Sequence, residues 1–244
     1  MKLAVIADIH SNIWALEAVL EDIATRGVDQ TVNLGDSLYG SIAPAAVADR
    51  LLGDNIPSIA GNQERDLIAP SPEVAASAEF GFIRAQLKPS HIAWLHSQPK
   101  TLIVGEVFCC HGTPSSDETY LLETVSQQGV NLADGQTIER RLGNVVQPVV
   151  VCGHSHVPRT VWLPGGQLVV NPGSAGHPAY SHDTPYPHTM ESGSPHARYA
   201  IVEQRKHGWQ VEQVAVPYDW DRAARVSEQN GRPHRSSWLR TGRA

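Results

Sequence analysis

Short apolar runs alternate with longer stretches of helical period over the first two-thirds of the chain. Leu3 to Ala7 is continuously apolar, as a strand covered on both faces requires. Ser11 follows as a candidate N-cap, Leu16, Val19, Leu20 and Ile23 then recur on one helical face, and Gly27 ends the helix. Thr31 to Leu34 predicts the next strand, and Pro44 opens a helix through Leu52. Ile56 to Ala60 predicts a third strand, and Pro72 to Leu87 a further helix. Thr101 to Val104 and Glu106 to Cys110 flank Gly105 as a hairpin or paired strands. A mostly polar helix near Gln136 to Leu142 precedes strands at Val149 to Cys152, Thr160 to Leu163, Gln167 to Val170, Arg198 to Val202 and Trp209 to Val214. Early βαβ units and short antiparallel strands later point to an α/β fold with two sheets and outer helices. Neither an internal repeat nor a linker divides residues 1–244, so one domain is expected.

Two segments depart from this pattern. Residues 177–196 are rich in Pro, His, Ser and Gly and lack periodicity. They read as a loop insertion, either a plain surface excursion or a cover over a site. His177, His182, His188 and His196 are too irregularly spaced to suggest a metal site of their own. Residues 219–244 read as a short helix and a solvated basic tail with Arg232, Arg235, Arg240 and Arg243. Trp14 and Trp94 fall in helical stretches and read as core or partly buried aromatics.

Apolar residues at 41% suffice for a core, and charged residues at 18% are not enriched. The net charge of −6 disfavours a broad hold on nucleic acid or an anionic membrane. A small phosphate-bearing substrate stays compatible, because bound cations reverse the local sign. No apolar run approaches the roughly 20 residues that span a bilayer. Asp8 and His10 interrupt the opening run too soon for a signal peptide. Cys109, Cys110 and Cys152 are odd in number and lie in apolar runs, which fits a reducing cytoplasm better than a disulfide framework. No heptad pattern marks an oligomer.

Five polar patterns each follow an apolar run: Asp8-Ile9-His10, Gly35-Asp36, Gly61-Asn62-Gln63-Glu64, Cys110-His111-Gly112 and Gly153-His154-Ser155-His156. Polar residues there emerge at the carboxyl edge of a sheet, where α/β ligand sites are built. Residues two apart in extended backbone share a side, so Asp8 with His10, and His154 with His156, are each expected to aim at one point. The adjoining glycines allow sharp turns and leave room for a ligand. Each pattern alone has a plainer reading as a cap, a turn or a strand-ending histidine. Their ordered recurrence at five strand ends points to a metal site. Imidazole, carboxylate and amide donors without thiolate suit manganese, iron or zinc.

With these motifs the chain resembles the calcineurin-like metallophosphoesterase superfamily. Asn171-Pro172-Gly173-Ser174 and His196-Ala197-Arg198-Tyr199-Ala200 also look like segments of its small bacterial and archaeal branch. The resemblance implies a four-layer αββα sandwich of two mixed β-sheets flanked by helices. It also implies two divalent metal ions, manganese first, with iron, zinc or nickel as alternatives. Asp8, His10, Asp36 and His156 would hold one ion and Asn62, His111 and His154 the other, with Asp36 bridging. One carboxylate can bridge in this way because its two oxygens can serve different ions.

Two cations about 3.5–4 Å apart can share a water and turn it into hydroxide near neutral pH. Relatives commonly carry a His after the motif Asn, a group thought to protonate the leaving oxygen; here that position is Gln63. An amide donates a hydrogen bond but is no general acid. Asn62 and Gln63 are therefore the expected catalytic side chains, and the expected substrate is a small phosphate ester, a diester before a monoester. A protein phosphatase fits less well, because Asp36 is followed by Ser37-Leu38-Tyr39-Gly40 and not by Arg-Gly. A nuclease would need a basic groove to hold phosphates, for which the acidic balance gives little support beyond the Arg-bearing tail. A catalytically weak scaffold that binds partner proteins is the alternative from another class, and the full set of seven ligands speaks against it.

Overall fold

A computed structural model describes residues 1–244. Strand β1 (Lys2–Ile6) leads into helix α1 (Ile13–Ala24), which buries Leu16, Val19, Leu20 and Ile23 as its period requires. Asn12 rather than Ser11 caps this helix, accepting from the Ala15 N–H at 3.3 Å. Ser11 has left-handed backbone (φ 61°), and its hydroxyl instead accepts from the Ile42 N–H at 3.0 Å. Strand β2 (Gln30–Asn33) and helix α2 (Pro44–Gly53) follow as expected. The strand expected at 56–60 shrinks to one parallel bridge between Asn33 and Ser58. Pro57 has no N–H to extend the ladder.

Helix α3 (Asn62–Ile68) opens directly after that bridge. The single helix expected over 72–87 is two, α4 (Pro72–Ala76) and α5 (Ala78–Gln86). Ser77 breaks it, because its extended backbone lets Oγ cap α5 by accepting from the Phe80 N–H at 3.1 Å. Helix α6 (Pro89–Ser97) precedes the expected hairpin of β3 (Thr101–Val104) and β4 (Val107–Cys110). A second hairpin, β5 (Glu123–Ser126) with β6 (Gly129–Leu132), has only Val125, Val130 and Leu132 as apolar positions and is an addition to the expected strands. Helix α7 (Gly135–Leu142) and strands β7 (Val149–Val151), β8 (Arg159–Trp162) and β9 (Leu168–Asn171) come next.

Residues 177–196 are not a plain loop. They contain an antiparallel hairpin, β10 (Ala179–His182) with β11 (His188–Glu191). A long pair follows, β12 (Ala197–Arg205) and β13 (Gly208–Val216), and then α8 (Trp220–Gln229). The basic tail is helix α9 (Pro233–Thr241) and is held down by charge: Arg235 pairs with Glu79, and Arg240 with Asp221 (2.9 Å) and Glu228 (2.7 Å).

The two larger sheets run β13-β12-β1-β2 and β3-β4-β7-β9-β8. Both are mixed, and the late pairs β4–β7 and β7–β9 are parallel rather than antiparallel as expected. Strand alternation sorts the core. Leu3, Val5 and Ala7 meet Val107, Cys109, Val149 and Val151 between the sheets. Ala4 and Ile6 face α1 and α2, while Val150 and Cys152 face Ile138 and Leu142 of α7. Each fully buried Leu or Val contributes about 1.5–3 kcal/mol. The result is the expected four-layer αββα order, with the carboxyl ends of β1, β2, β4 and β7 gathered at one edge. No helix is long and apolar enough to cross a membrane.

Candidate metal centre

Asp8 and His10 follow β1, Asp36 follows β2, Asn62 opens α3, His111 follows β4, and His154 and His156 follow β7. Five of these residues have left-handed backbone: Asp8 (φ 55°), His10 (47°), Asp36 (52°), His154 (68°) and His156 (60°). Such a conformation costs a non-glycine residue about 1–2 kcal/mol and persists only where its surroundings enforce it. Here the turns after β1 and β2 are zipped together: Asp8 N–H donates to Gly35 O (3.0 Å), His10 N–H to Asp36 O (3.0 Å) and Ser11 N–H to Ser37 O (2.8 Å). Ser174 Oγ donates to Asp8 O at 2.7 Å, which gives the Asn171–Ser174 segment its part in the site.

This backbone overturns the extended geometry expected from spacing. Asp8 and His10 do converge, but through a turn. His154 and His156 do not converge: they part to two clusters, Asp8–His10–His156 and Asp36–His111–His154. Asn62 joins the second, with Oδ1 3.1 Å from His111 Nε2. Asp36 lies between them, Oδ2 being 3.5 Å from His111 Nε2 and 4.0 Å from His10 Nε2. One oxygen thus faces both clusters, contrary to the expectation of two, because Oδ1 accepts from the Gln63 N–H at 3.0 Å. Gly61 is needed at this point. A Cβ there would collide with the Asp36 carboxylate and crowd the His111 ring.

Backbone carbonyls fix the ring tautomers. His10 Nδ1–H donates to Tyr39 O (3.0 Å), His156 Nδ1–H to His177 O (2.6 Å) and His111 Nδ1–H to Leu34 O (2.8 Å). His154 is reversed: Nε2–H donates to Glu118 O at 3.0 Å, which leaves Nδ1 free as a donor atom. His10 Nε2 and His156 Nε2 then confront each other at 3.1 Å, two lone pairs beside Asp8 Oδ1, itself 3.4 Å from His156 Nε2. A cation between them satisfies all three atoms, so the residues present fit a divalent metal.

Electrostatics agree. Burial pushes His10 down to about 4, with His156 adding to the shift, and burial with His111 pushes His154 down to about 3. Burial would raise Asp36, but His111, His10 and His154 hold it well below the usual carboxylate range. Burial would lower His111, yet Asp36 and Asp8 push it up to about 10.

The clusters open into a cavity of about 900 Å³. Its wall includes residues that sequence reasoning missed or discounted: His177 and Tyr180 from the supposed loop, Trp238 and Arg235 from the supposed tail. Tyr180 OH donates to His154 O at 3.0 Å. Glu64 closes the Gly61–Glu64 motif, and its buried carboxylate accepts from the N–H groups of Asp36 (2.7 Å), Ser37 (2.7 Å) and Gly61 (2.8 Å). Its position three residues beyond Gly61 was the one sequence signal for that brace.

The model of the calcineurin-like phosphoesterase superfamily domain matches residues 1–192. The chain belongs to this superfamily. An uncharacterized protein of Methanocaldococcus jannaschii is 26% identical over 264 residues, covering 97% of this chain and 95% of that protein. A metallophosphoesterase from Sphaerobacter thermophilus has a crystal structure that matches with a TM-score of 0.76 at 24% identity, over 99% of each chain. A hypothetical protein from Pyrococcus horikoshii matches at 0.73 and 20% identity, over 99% of this chain and 98% of its own. Those structures share the fold, and the superfamily membership makes this a metallophosphoesterase fold with candidate metal ligands in place.

Proposed function

We propose that the chain is a metal-dependent phosphodiesterase. Asp8, His10, Asp36 and His156 hold one divalent cation, Asn62, His111 and His154 hold a second, and Asp36 bridges them. The observation that carries this reading is the His10–His156 contact, two lone pairs 3.1 Å apart that a cation relieves. Manganese leads, with iron, zinc and nickel behind it, because all the donors are nitrogen or oxygen and the three thiols lie buried elsewhere. Those free thiols also support a reducing cytoplasm. Cations bound there supply Lewis acidity towards phosphoryl oxygens and a water acidic enough to attack phosphorus near neutral pH.

The chain's own residues set the substrate. Asn62 offers a neutral amide oxygen and adds no negative charge near an anionic ester. The contact from Gln63 N–H to Asp36 places the Gln63 side chain in the cavity wall, where its Oε1 is buried without a partner. That amide can orient a substrate oxygen but cannot protonate it. His177 is held neutral by burial, with His10 and Arg235 adding to the effect, and the Tyr180 proton is committed to His154 O. A leaving group must therefore depart without a proton from these groups.

Charge favours a diester as well. Asp66, Glu118 and Glu123 line the cavity. Its two arginines are already engaged, Arg141 with the carbonyls of Leu121 (3.1 Å) and Glu123 (2.9 Å), Arg235 with Glu79. A dianionic monoester meets more repulsion there than a monoanionic diester. The test is manganese-supported hydrolysis of an aryl diester, an aryl monoester and an alkyl monoester, with Asp36→Ala as control. The aryl diester should turn over fastest and the variant should be inactive. Faster hydrolysis of the alkyl monoester would overturn the diester assignment.

A further inference from the structure

The histidine rings of the two ligand clusters are oriented by different backbone carbonyls. His10 and His156 are oriented by the carbonyls of Tyr39 and His177. His154 takes its ring orientation from the segment after His111: Nε2–H donates to Glu118 O, and the Tyr120 ring packs on it at 4.8 Å between centroids. That segment is folded on itself. Thr113 N–H donates to Ser116 O at 2.7 Å, Ser116 Oγ accepts from the N–H groups of Glu118 and Thr119 at 3.2 Å, and the loop closes so tightly over Gly112 that a Cβ there would meet Ser116 O and Thr119 O.

Within the site, one side chain ties this loop to α3. Arg65, three residues beyond Asn62, forks across it, Nη1 to Asp117 Oδ1 at 2.6 Å and Nη2 to Glu118 Oε1 at 2.7 Å. The helix that carries Asn62, the strand end that carries His111 and the carbonyl that orients His154 are thereby joined at one guanidinium. Arg65 touches none of the residues of the other cluster.

The geometry points to Arg65 as a positioning residue for one metal position only, acting through Glu118 on His154. This rests on the ligand set proposed above. An Arg is needed because its planar fork spans two carboxylates at once, where a Lys ammonium is a single point charge. The effect is bounded by exposure: the Arg65 side chain is 42% exposed, so its ion pairs are screened by salt. Loss of a partner that orients a metal ligand weakens binding about 10–100-fold, and an exposed brace one step further out belongs at the low end, about tenfold.

The experiment is calorimetric titration of the whole, metal-stripped 244-residue chain with Mn²⁺. His154→Ala identifies which of the two binding steps belongs to the Asn62–His111–His154 position. Arg65→Ala should weaken that step about tenfold and leave the other within about twofold, with Arg65→Lys in between. Raising the ionic strength should weaken the same step in the unmodified chain more than in Arg65→Ala. Glu118→Gln combined with Arg65→Ala should be no worse than Arg65→Ala alone, because both act on one contact. Equal weakening of both steps, no weakening of either, or additive losses in the double variant would overturn the assignment. Failure of the unmodified chain to show two steps would instead count against the proposed ligand set and take this inference with it.

Discussion

Gly61→Ala is the smallest change that should dismantle the centre. Gly61 has φ −92°, a conformation open to alanine, so the substitution introduces no backbone strain. By itself it would stabilise the chain by about 0.4–1 kcal/mol through the unfolded state. The new methyl, however, occupies the place of Asp36 Oδ1 and presses on His111 Cε1. The carboxylate must swing, which breaks the 3.0 Å bond from Gln63 N–H and draws Oδ2 away from His10 and His111. Overpacking costs about 1–3 kcal/mol, and a lost hydrogen bond to a charged acceptor about 1.5–3 kcal/mol. The net loss is about 2–5 kcal/mol, and a chain of this length loses about 2–4 °C of Tm per kcal/mol. Calorimetric melting in the presence of a chelator should therefore show a Tm lower by roughly 10 °C, and Mn²⁺ titration a loss of the tight sites. A Tm unchanged to within about 2 °C together with unaltered Mn²⁺ affinity would refute the placement of Asp36 against Gly61.

Gln63→His restores a group able to carry a proton to the leaving oxygen; general acids contribute about 10²–10⁴-fold, and an unoptimised one should still raise alkyl monoester turnover about tenfold. No gain in steady-state assays would show that the missing proton donor does not set the diester preference. Metal binding should also release a proton. His111 titrates at about 10, so below that pH the metal-free ring carries a proton that a ligand must shed, whereas His10 at about 4 and His154 at about 3 are already neutral. Apparent affinity should rise about tenfold or more per pH unit from roughly pH 6 to 9, and calorimetry in buffers of different ionisation heat should count at least one proton per chain, with any proton lost by metal-bound water added to it. Zero release would contradict the His111–Asp36 pairing.

What the sequence made legible was the strand ends. Asp8, Asp36, His111 and His154 each follow a strand whose last residues are buried, so the polar motif after it marks where β1, β2, β4 and β7 leave the core. Which cluster each histidine joins was not legible from spacing, because left-handed backbone at His154 and His156 defeats the two-residue rule. The β10–β11 hairpin was hidden because Tyr180, Ser181 and His182 are polar or amphipathic and its strands are only half-buried. Helix α9 was hidden for a related reason. Its buried face holds little beyond Ser236 and Leu239, and it docks through Arg235 on Glu79, a contact 156 residues away in sequence that no local pattern encodes. Those two elements wall the cavity, so the side chains that cluster at the sheet edge could be read from the sequence and the pocket around them could not.

Two metal positions that share Asp36 would be visible directly by anomalous scattering from crystals grown with Mn²⁺. Two peaks per chain are expected, one among Asp8, His10 and His156, the other among Asn62, His111 and His154, both within bonding distance of the Asp36 carboxylate. A single peak, peaks away from these side chains, or an Asp36 that contacts only one of them would contradict that arrangement.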